Sequence, residues 1–170
     1  ETLRRAHVSL EHRLQQMWGD RAPELPLTRA YEGLILASII EKETADAAER
    51  PLIAGVFIER LRKNMLLQTD PTVIYGLGPS FDGNLRRSDL NADTPYNTYT
   101  RKGLPPTPIA IVGEPALRAA LHPQIDGSLF FVARGDGTHQ FSRTYAEHLR
   151  AVRKYQLGKP VRQQATAGGS

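Results

Sequence analysis

The sequence predicts an α+β fold, mostly helical, with one small β-hairpin. Two observations lead there. Apolar residues recur at the three- and four-residue spacing of helices through most segments. Only Leu129-Phe130-Phe131-Val132-Ala133 reads as a good strand, and Gly135-Asp136-Gly137 after it supplies a hairpin turn into Thr138-His139-Gln140-Phe141.

In order, residues 3–18 predict an amphipathic helix with Leu3, Leu10, Leu14 and Met17 on one face and Trp18 beside it. Gly19, Pro23 and Pro26 end it in a loop. Thr28 is the expected N-cap of a second helix running to about Ala48. Pro51 fits only a first turn, so a third helix starts near it, with Leu52, Ile53, Val56, Phe57 and Leu61 at core spacing against the second. Asp70-Pro71 reads as an N-cap followed by proline at the first helical position, opening a short helix that stops at Gly76 and Gly78. From Pro79 to Gly113 periodicity is lost, and the proline and glycine punctuation predicts an ordered loop. A short helix over 116–121 ends at His122-Pro123. Thr144 and Glu147 form a capping box for a last helix bearing Tyr145, Leu149 and Val152. The expected domains are an N-terminal helix and linker over 1–27, a globular unit over 28–157, and a tail over 158–170 whose composition reads as disordered.

The chain has 170 residues, 40% hydrophobic and 24% charged, which is the balance of a soluble globular domain. No apolar run approaches the roughly 20 residues a membrane span needs. The start, Glu-Thr-Leu-Arg-Arg, is charged and helical rather than a signal peptide, as expected of a piece of a longer protein. Lys and Arg number 22 against 18 Asp and Glu, a net +4, but the basic residues are scattered and match no nucleic-acid motif. Zero cysteines exclude a disulfide framework, a zinc ribbon and a thiol nucleophile. The five histidines (7, 12, 122, 139, 148) lack metal-ligand spacing, so no metal is expected. No serine elbow or phosphate-binding glycine loop is present, and no cofactor is expected.

The most informative stretch is Leu34 to Thr44. On a helix, Leu36, Ile39, Ile40, Glu43 and Ala47 fall on one stripe, while Glu41 lies well round the cylinder. A carboxyl that continues an apolar stripe has its charged form disfavoured, which makes Glu43 a candidate general acid. The plainer alternative is a helix-end glutamate reaching water or a basic partner. Three further clusters carry polar chemistry. Gln68 and Thr69 precede Asp70 and could present an amide and a hydroxyl to a ligand, although capping alone would account for Asp70. Pro95-Tyr96-Asn97-Thr98-Tyr99-Thr100, followed by Gly103-Leu104-Pro105-Pro106, mixes rings with amide and hydroxyl groups, as a sugar polymer requires. The same tyrosines would equally fill a core. Gly137 to Phe141 adds His139 on the hairpin. What remains is carboxylate chemistry on a carbohydrate, or binding without chemistry.

These segments also recur in one known order. Ala37 to Thr44, Leu67 to Gly76, Pro95 to Tyr99, Gly103 to Pro106, His122-Pro123, Phe131 to Ala133 and Gly137 to Phe141 together resemble the endolytic murein transglycosylases, the MltG or YceG-like family, over about residues 28–155. The resemblance implies a lysozyme-like transglycosylase catalytic domain with Glu43 as its catalytic residue. It also implies cleavage of the MurNAc–GlcNAc bond within peptidoglycan glycan strands, leaving 1,6-anhydro-MurNAc ends. One carboxyl would serve as general acid and then base, with no second carboxylate required. Candidate substrate-binding residues are Gln68, Thr69, Asp70, Tyr75, Asn97, Tyr99, His139 and Phe141.

The resemblance further implies a preceding transmembrane anchor and LysM-like domain. The catalytic part would then face the periplasm from the inner membrane, with room for peptidoglycan synthases or the cell-division machinery as partners. Two rivals stand beside it: a lysozyme-like hydrolase using Asp70 or Glu41 as second carboxylate, and a non-catalytic peptidoglycan-binding or cell-division scaffold module.

Overall fold

The structure is a computed structural model that describes residues 2–156. Seven helices and one hairpin make up those residues: α1 Thr2–Gly19, α2 Ala30–Glu43, α3 Arg50–Arg62, α4 Asp70–Leu77, α5 Arg87–Asn91, α6 Glu114–Leu121, strands β1 Phe130–Ala133 and β2 His139–Ser142, then α7 Tyr145–Gln156. The α+β expectation holds, and the expected tail over 158–170 lies outside the described residues.

Helix α2 is the centre. Leu36, Ala37, Ser38, Ile39 and Ile40 are all fully buried, because α6, α3, α1 and α4 pack around it. The expected single stripe is therefore too narrow, since a helix apolar on all sides is a core helix. Its closest partner is α6 rather than α3. Ser38 lets a polar residue sit in this core: its hydroxyl donates to Ile35 O at 2.6 Å and accepts from Ile109 N at 3.0 Å, tying the long loop to the helix.

Helix α2 also stops earlier than the sequence suggested, at Glu43 instead of Ala48. Thr44 turns into extended backbone, and its hydroxyl accepts from Asp46 N at 3.0 Å. Asp46 Oδ1 then accepts from Ala48 N at 2.9 Å. Such short-range bonds offer the backbone an alternative to the helix. Ala47 thus leaves the stripe. At the other end Arg29 is the N-cap, and Thr28, one residue further out, binds Glu32 through both its N–H and its hydroxyl.

Helix α3 starts as predicted around Pro51, with Ile53, Val56 and Phe57 buried and Leu52 and Leu61 half-buried. The presumed loop over 79–113 contains a 3-10 turn, Gly78–Ser80, and α5, closed by Asp89 accepting from Arg86 N at 2.8 Å. Strands β1 and β2 pair antiparallel with Phe131 opposite Phe141 and Ala133 opposite His139. The capping box of α7 forms, with Thr144 Oγ1 3.2 Å from Glu147 N and Glu147 Oε2 3.4 Å from Thr144 N. His148 and Ala151 are its buried residues, whereas Tyr145 is exposed. Of the face predicted for α1, only Leu14 is buried; Met17 and Trp18 pack at the core's edge, and Leu3 and Leu10 are exposed.

One backbone crossing limits the sequence severely. A Cβ on Gly55 would lie 2.0 Å from Gln124 O, which no side-chain movement can relieve. Gly55→Ala is expected to destabilise the fold by about 3 kcal/mol, read from the urea midpoint at constant slope.

Candidate active site

Glu43 is the last residue of α2, so the core that buries the helix delivers its carboxyl to the helix end at a fixed place. The residue is half-buried, and its carboxyl is short of water. Loss of hydration pushes its pKa from an ordinary 4.5 up to about 7; a hydrogen bond from Thr69 works against the rise and the charge of Asp70 adds to it. Thr69 Oγ1 donates to Glu43 Oε1.

Thr69 is itself buried and held in place by a cluster of threonines. Its N–H donates to Thr98 Oγ1 at 3.0 Å, and its carbonyl accepts from Thr72 Oγ1 at 2.8 Å. The Thr72 and Thr98 hydroxyls lie 2.9 Å apart, and Gln68 N donates to Thr98 O at 3.2 Å. Residues 68–72 are thereby laced to 97–98. The lacing explains why three hydroxyls can be buried without cost in unmade bonds.

Asp70 requires a correction. It does not cap α4: Thr69 occupies the N-cap and no side chain closes it. Asp70 Oδ1 instead accepts from the Tyr99 hydroxyl at 2.6 Å. Burial raises the Asp70 pKa, and this bond holds the rise back. The Tyr99 pKa is raised by burial first and then by Asp70, so its hydroxyl stays protonated and donating.

Gln68 stands beside this pair in a left-handed conformation, φ 51°, uncommon for a residue with a Cβ. Its Oε1 is buried without a protein donor. A buried acceptor left unpaired costs about 1–3 kcal/mol.

The other predicted residues fall elsewhere. Asn97 is buried, its Nδ2 donating to Leu90 O at 2.9 Å and Ala92 O at 2.7 Å while its Oδ1 accepts from Tyr99 N at 2.8 Å. The amide is spent inside the loop, holding Tyr99 in place. Phe141 packs on Phe131 at the core's edge. Tyr75 is 46% exposed and lies 5.0 Å from the Tyr96 ring, an aromatic pair on the surface of α4. His139 is bound to a carboxylate that the sequence did not single out. Its N–H and Nδ1 meet Glu49 Oε1 and Oε2 at 2.8 and 2.7 Å, so the hairpin is tied to the entrance of α3. Glu41 lies against Gly113 instead of the Glu43 pocket. Arg60 was also missed: it is 1% exposed, donates to Leu129 O at 2.7 Å and Leu66 O at 2.8 Å, and acts electrostatically on Tyr99. Burial lowers its pKa to about 10. Among the described residues no cluster of His, Cys, Asp and Glu fits a metal ion, and no helix is long and apolar enough to cross a membrane.

The sequence signature described as the YceG-like family matches residues 1–154. The chain belongs to that family. A Bacillus subtilis (strain 168) protein named endolytic murein transglycosylase is 48% identical over 122 residues, covering 72% of this chain and 34% of the relative. A Streptococcus pneumoniae protein of the same name is 33% identical over 130 residues, covering 73% of this chain and 23% of the relative. The crystal structure of a YceG-like protein from Listeria monocytogenes superposes with a TM-score of 0.67 at 44% identity, over 71% of this chain and 39% of that one. This YceG-like chain therefore spans about a third of the length of its Bacillus relative and under a quarter of the pneumococcal one.

The raised Glu43 carboxyl has a consequence for stability. The folded chain keeps a proton that the unfolded chain releases between pH 4.5 and about 7. The group's contribution is present below 4.5 and is lost as pH rises to about 7. Glu43→Gln removes that loss. Its stability relative to wild type is expected to grow across this window and level off above it, by on the order of 2–3 kcal/mol, measured by urea unfolding at pH 5, 6 and 8.

Proposed function

We propose that this domain is the catalytic part of a lytic transglycosylase that cuts MurNAc–GlcNAc bonds within peptidoglycan glycan strands, leaving 1,6-anhydro-MurNAc ends. The observation that carries the reading is Glu43, a carboxyl whose pKa is pushed up to about 7 at the end of a rigid core helix. The names of the Bacillus and Streptococcus relatives support the substrate. A lysozyme-like fold belongs to the same proposal, supported by a buried helix presenting the acid in a domain with a small hairpin. So do an inner-membrane location facing the periplasm and partners among peptidoglycan synthases or the cell-division machinery, for which the substrate is the support.

Glu43 begins protonated and gives its proton to the glycosidic oxygen as the C1–O bond breaks. Its carboxylate then takes the proton of the C6 hydroxyl of the same MurNAc, whose oxygen closes on C1. The proton lost is regained, no water is consumed, and the product carries the internal ether. Gln68 Oε1, an acceptor without a protein donor, suits the N–H of an acetamido group. Tyr75, with Tyr96 behind it, offers a ring face for a sugar.

A hydrolase is the second reading, favoured by one observation: Asp70 is free of any capping duty and its charge reaches Glu43. There it would orient a water, as in carboxylate-pair glycosidases.

Product ends distinguish the readings. Digestion of purified peptidoglycan followed by mass spectrometry is expected to give anhydro ends from wild type; reducing ends alone would establish the hydrolase. Glu43→Gln is expected to lower turnover by about a thousandfold, and unchanged cleavage would leave Glu43 without a catalytic role. If wild type and variant both bind strands without cutting them, the domain is a scaffold module. With Glu43 acting as acid, kcat/KM is expected to fall about tenfold per pH unit above pH 7.

A further inference from the structure

Thr69 and Asp70 are adjacent, and each takes part in one hydrogen bond that organises a carboxyl. The Thr69 hydroxyl donates to Glu43 Oε1, and the Tyr99 hydroxyl donates to Asp70 Oδ1 at 2.6 Å. Both carboxyls are short of water, and the charge of Asp70 bears on Glu43. A charge on Asp70 disfavours a charge on Glu43, so one of the two keeps its proton more readily. The donors decide which one. A donor bond strengthens when its acceptor is ionised, and a phenol is intrinsically a stronger hydrogen-bond donor than an aliphatic alcohol.

We propose that Tyr99 is a positioning residue of the reaction, keeping Asp70 ionised so that Glu43 holds its proton. This rests on the reading of Glu43 as the acid and deepens it. The charged and titratable groups acting on one another here are Glu43 from α2, Arg60 from α3, Asp70 from α4 and Tyr99 from the loop between α5 and α6. Tyr99 is well placed for the task. Asn97 Oδ1 holds its backbone N–H at 2.8 Å, and the carbonyls of Leu90 and Ala92 hold Asn97 in turn. The phenol therefore meets Asp70 from a braced segment. Without it Asp70 would compete for the proton, and the charge that adds to the effect of burial on Glu43 would fade.

Carbon-13 titration of the side-chain carboxyls tests this in wild type, Tyr99→Phe, Asp70→Asn and the double variant. In Tyr99→Phe the Asp70 midpoint is expected to rise and the Glu43 midpoint to fall by about one pH unit. Cleavage of glycan strands should then drop about tenfold at pH 8 and change less than about threefold at pH 5.5. In the Asp70→Asn background, Tyr99→Phe should leave Glu43 where it stands. An unmoved Glu43 midpoint in folded Tyr99→Phe overturns the proposal, as does an equal shift in both backgrounds, the mark of simple loosening. Should Tyr99→Phe fail to fold, replacing the tyrosines by 3-fluorotyrosine strengthens the donor; the Asp70 midpoint then falls, and an unchanged one overturns the role. If wild type cleaves no glycan, the functional reading fails while the titrations still decide the part played by Tyr99.

Discussion

Keeping water away from the Glu43 carboxyl is the constraint on which the rest of this site depends. Raising a carboxyl from 4.5 to about 7 means that its ionised form is disfavoured by on the order of 3 kcal/mol. The helix that carries it offsets this easily. Leu36, Ile39 and Ile40 are fully buried, and each such side chain contributes roughly 1.5–3 kcal/mol. A carboxyl on a loop would turn to solvent; at the end of a helix enclosed by α1, α3, α4 and α6 it is held half-buried and short of water.

A second constraint comes from the backbone around the pocket. The segments 68–72 and 96–99 run through the interior without a sheet or long helix to satisfy their polar groups, so side chains must do it. That is why threonines 69, 72 and 98 bond one another and why Asn97 is turned inward onto loop carbonyls. Residue types that suit sugar recognition are also the types that satisfy buried irregular backbone. The motif around Asn97 serves the latter need directly and braces Tyr99.

The same ambiguity sets what the sequence could tell. Helix placement was legible because apolar spacing and proline position follow directly from burial and φ. Helix α5 was not, being five residues long with none buried. The end of α2 at Glu43 was hidden because Thr44 and Asp46 leave the helix through their own short-range bonds, which compete with a helix-compatible pattern. Glu43 stands out on a stripe that the structure widens to the whole helix, and its raised pKa has the expected origin, since a glutamate prolonging any buried surface meets the same loss of hydration. Asp70 was misread because Asp-Pro has a strong capping precedent, and only the fold brings Tyr99 to it from 29 positions away. Glu49 left no local signal, its partner His139 lying 90 residues off.

Arg60, by contrast, did leave one. Ile53, Val56, Phe57 and Arg60 repeat the spacing of Leu36, Ile39, Ile40 and Glu43, three buried apolar positions followed by a charge seven residues after the first. The two helices thus each carry an ionisable group on a core-facing stripe, and both groups act on Tyr99. They act in opposite senses: Glu43 and Asp70 favour the neutral phenol, and Arg60 favours the phenolate. Burial and the carboxyls prevail, so the hydroxyl keeps its hydrogen and Asp70 keeps its donor. Arg60 is fixed by the carbonyls of Leu66 and Leu129 instead of by a carboxylate. That arrangement turns its charge on Tyr99, where it favours the phenolate. A direct Arg60–Asp70 ion pair would make Tyr99 redundant. By engaging the guanidinium with backbone oxygens, the fold leaves the ionisation of Asp70 to a neutral donor that a single methyl-scale change can remove.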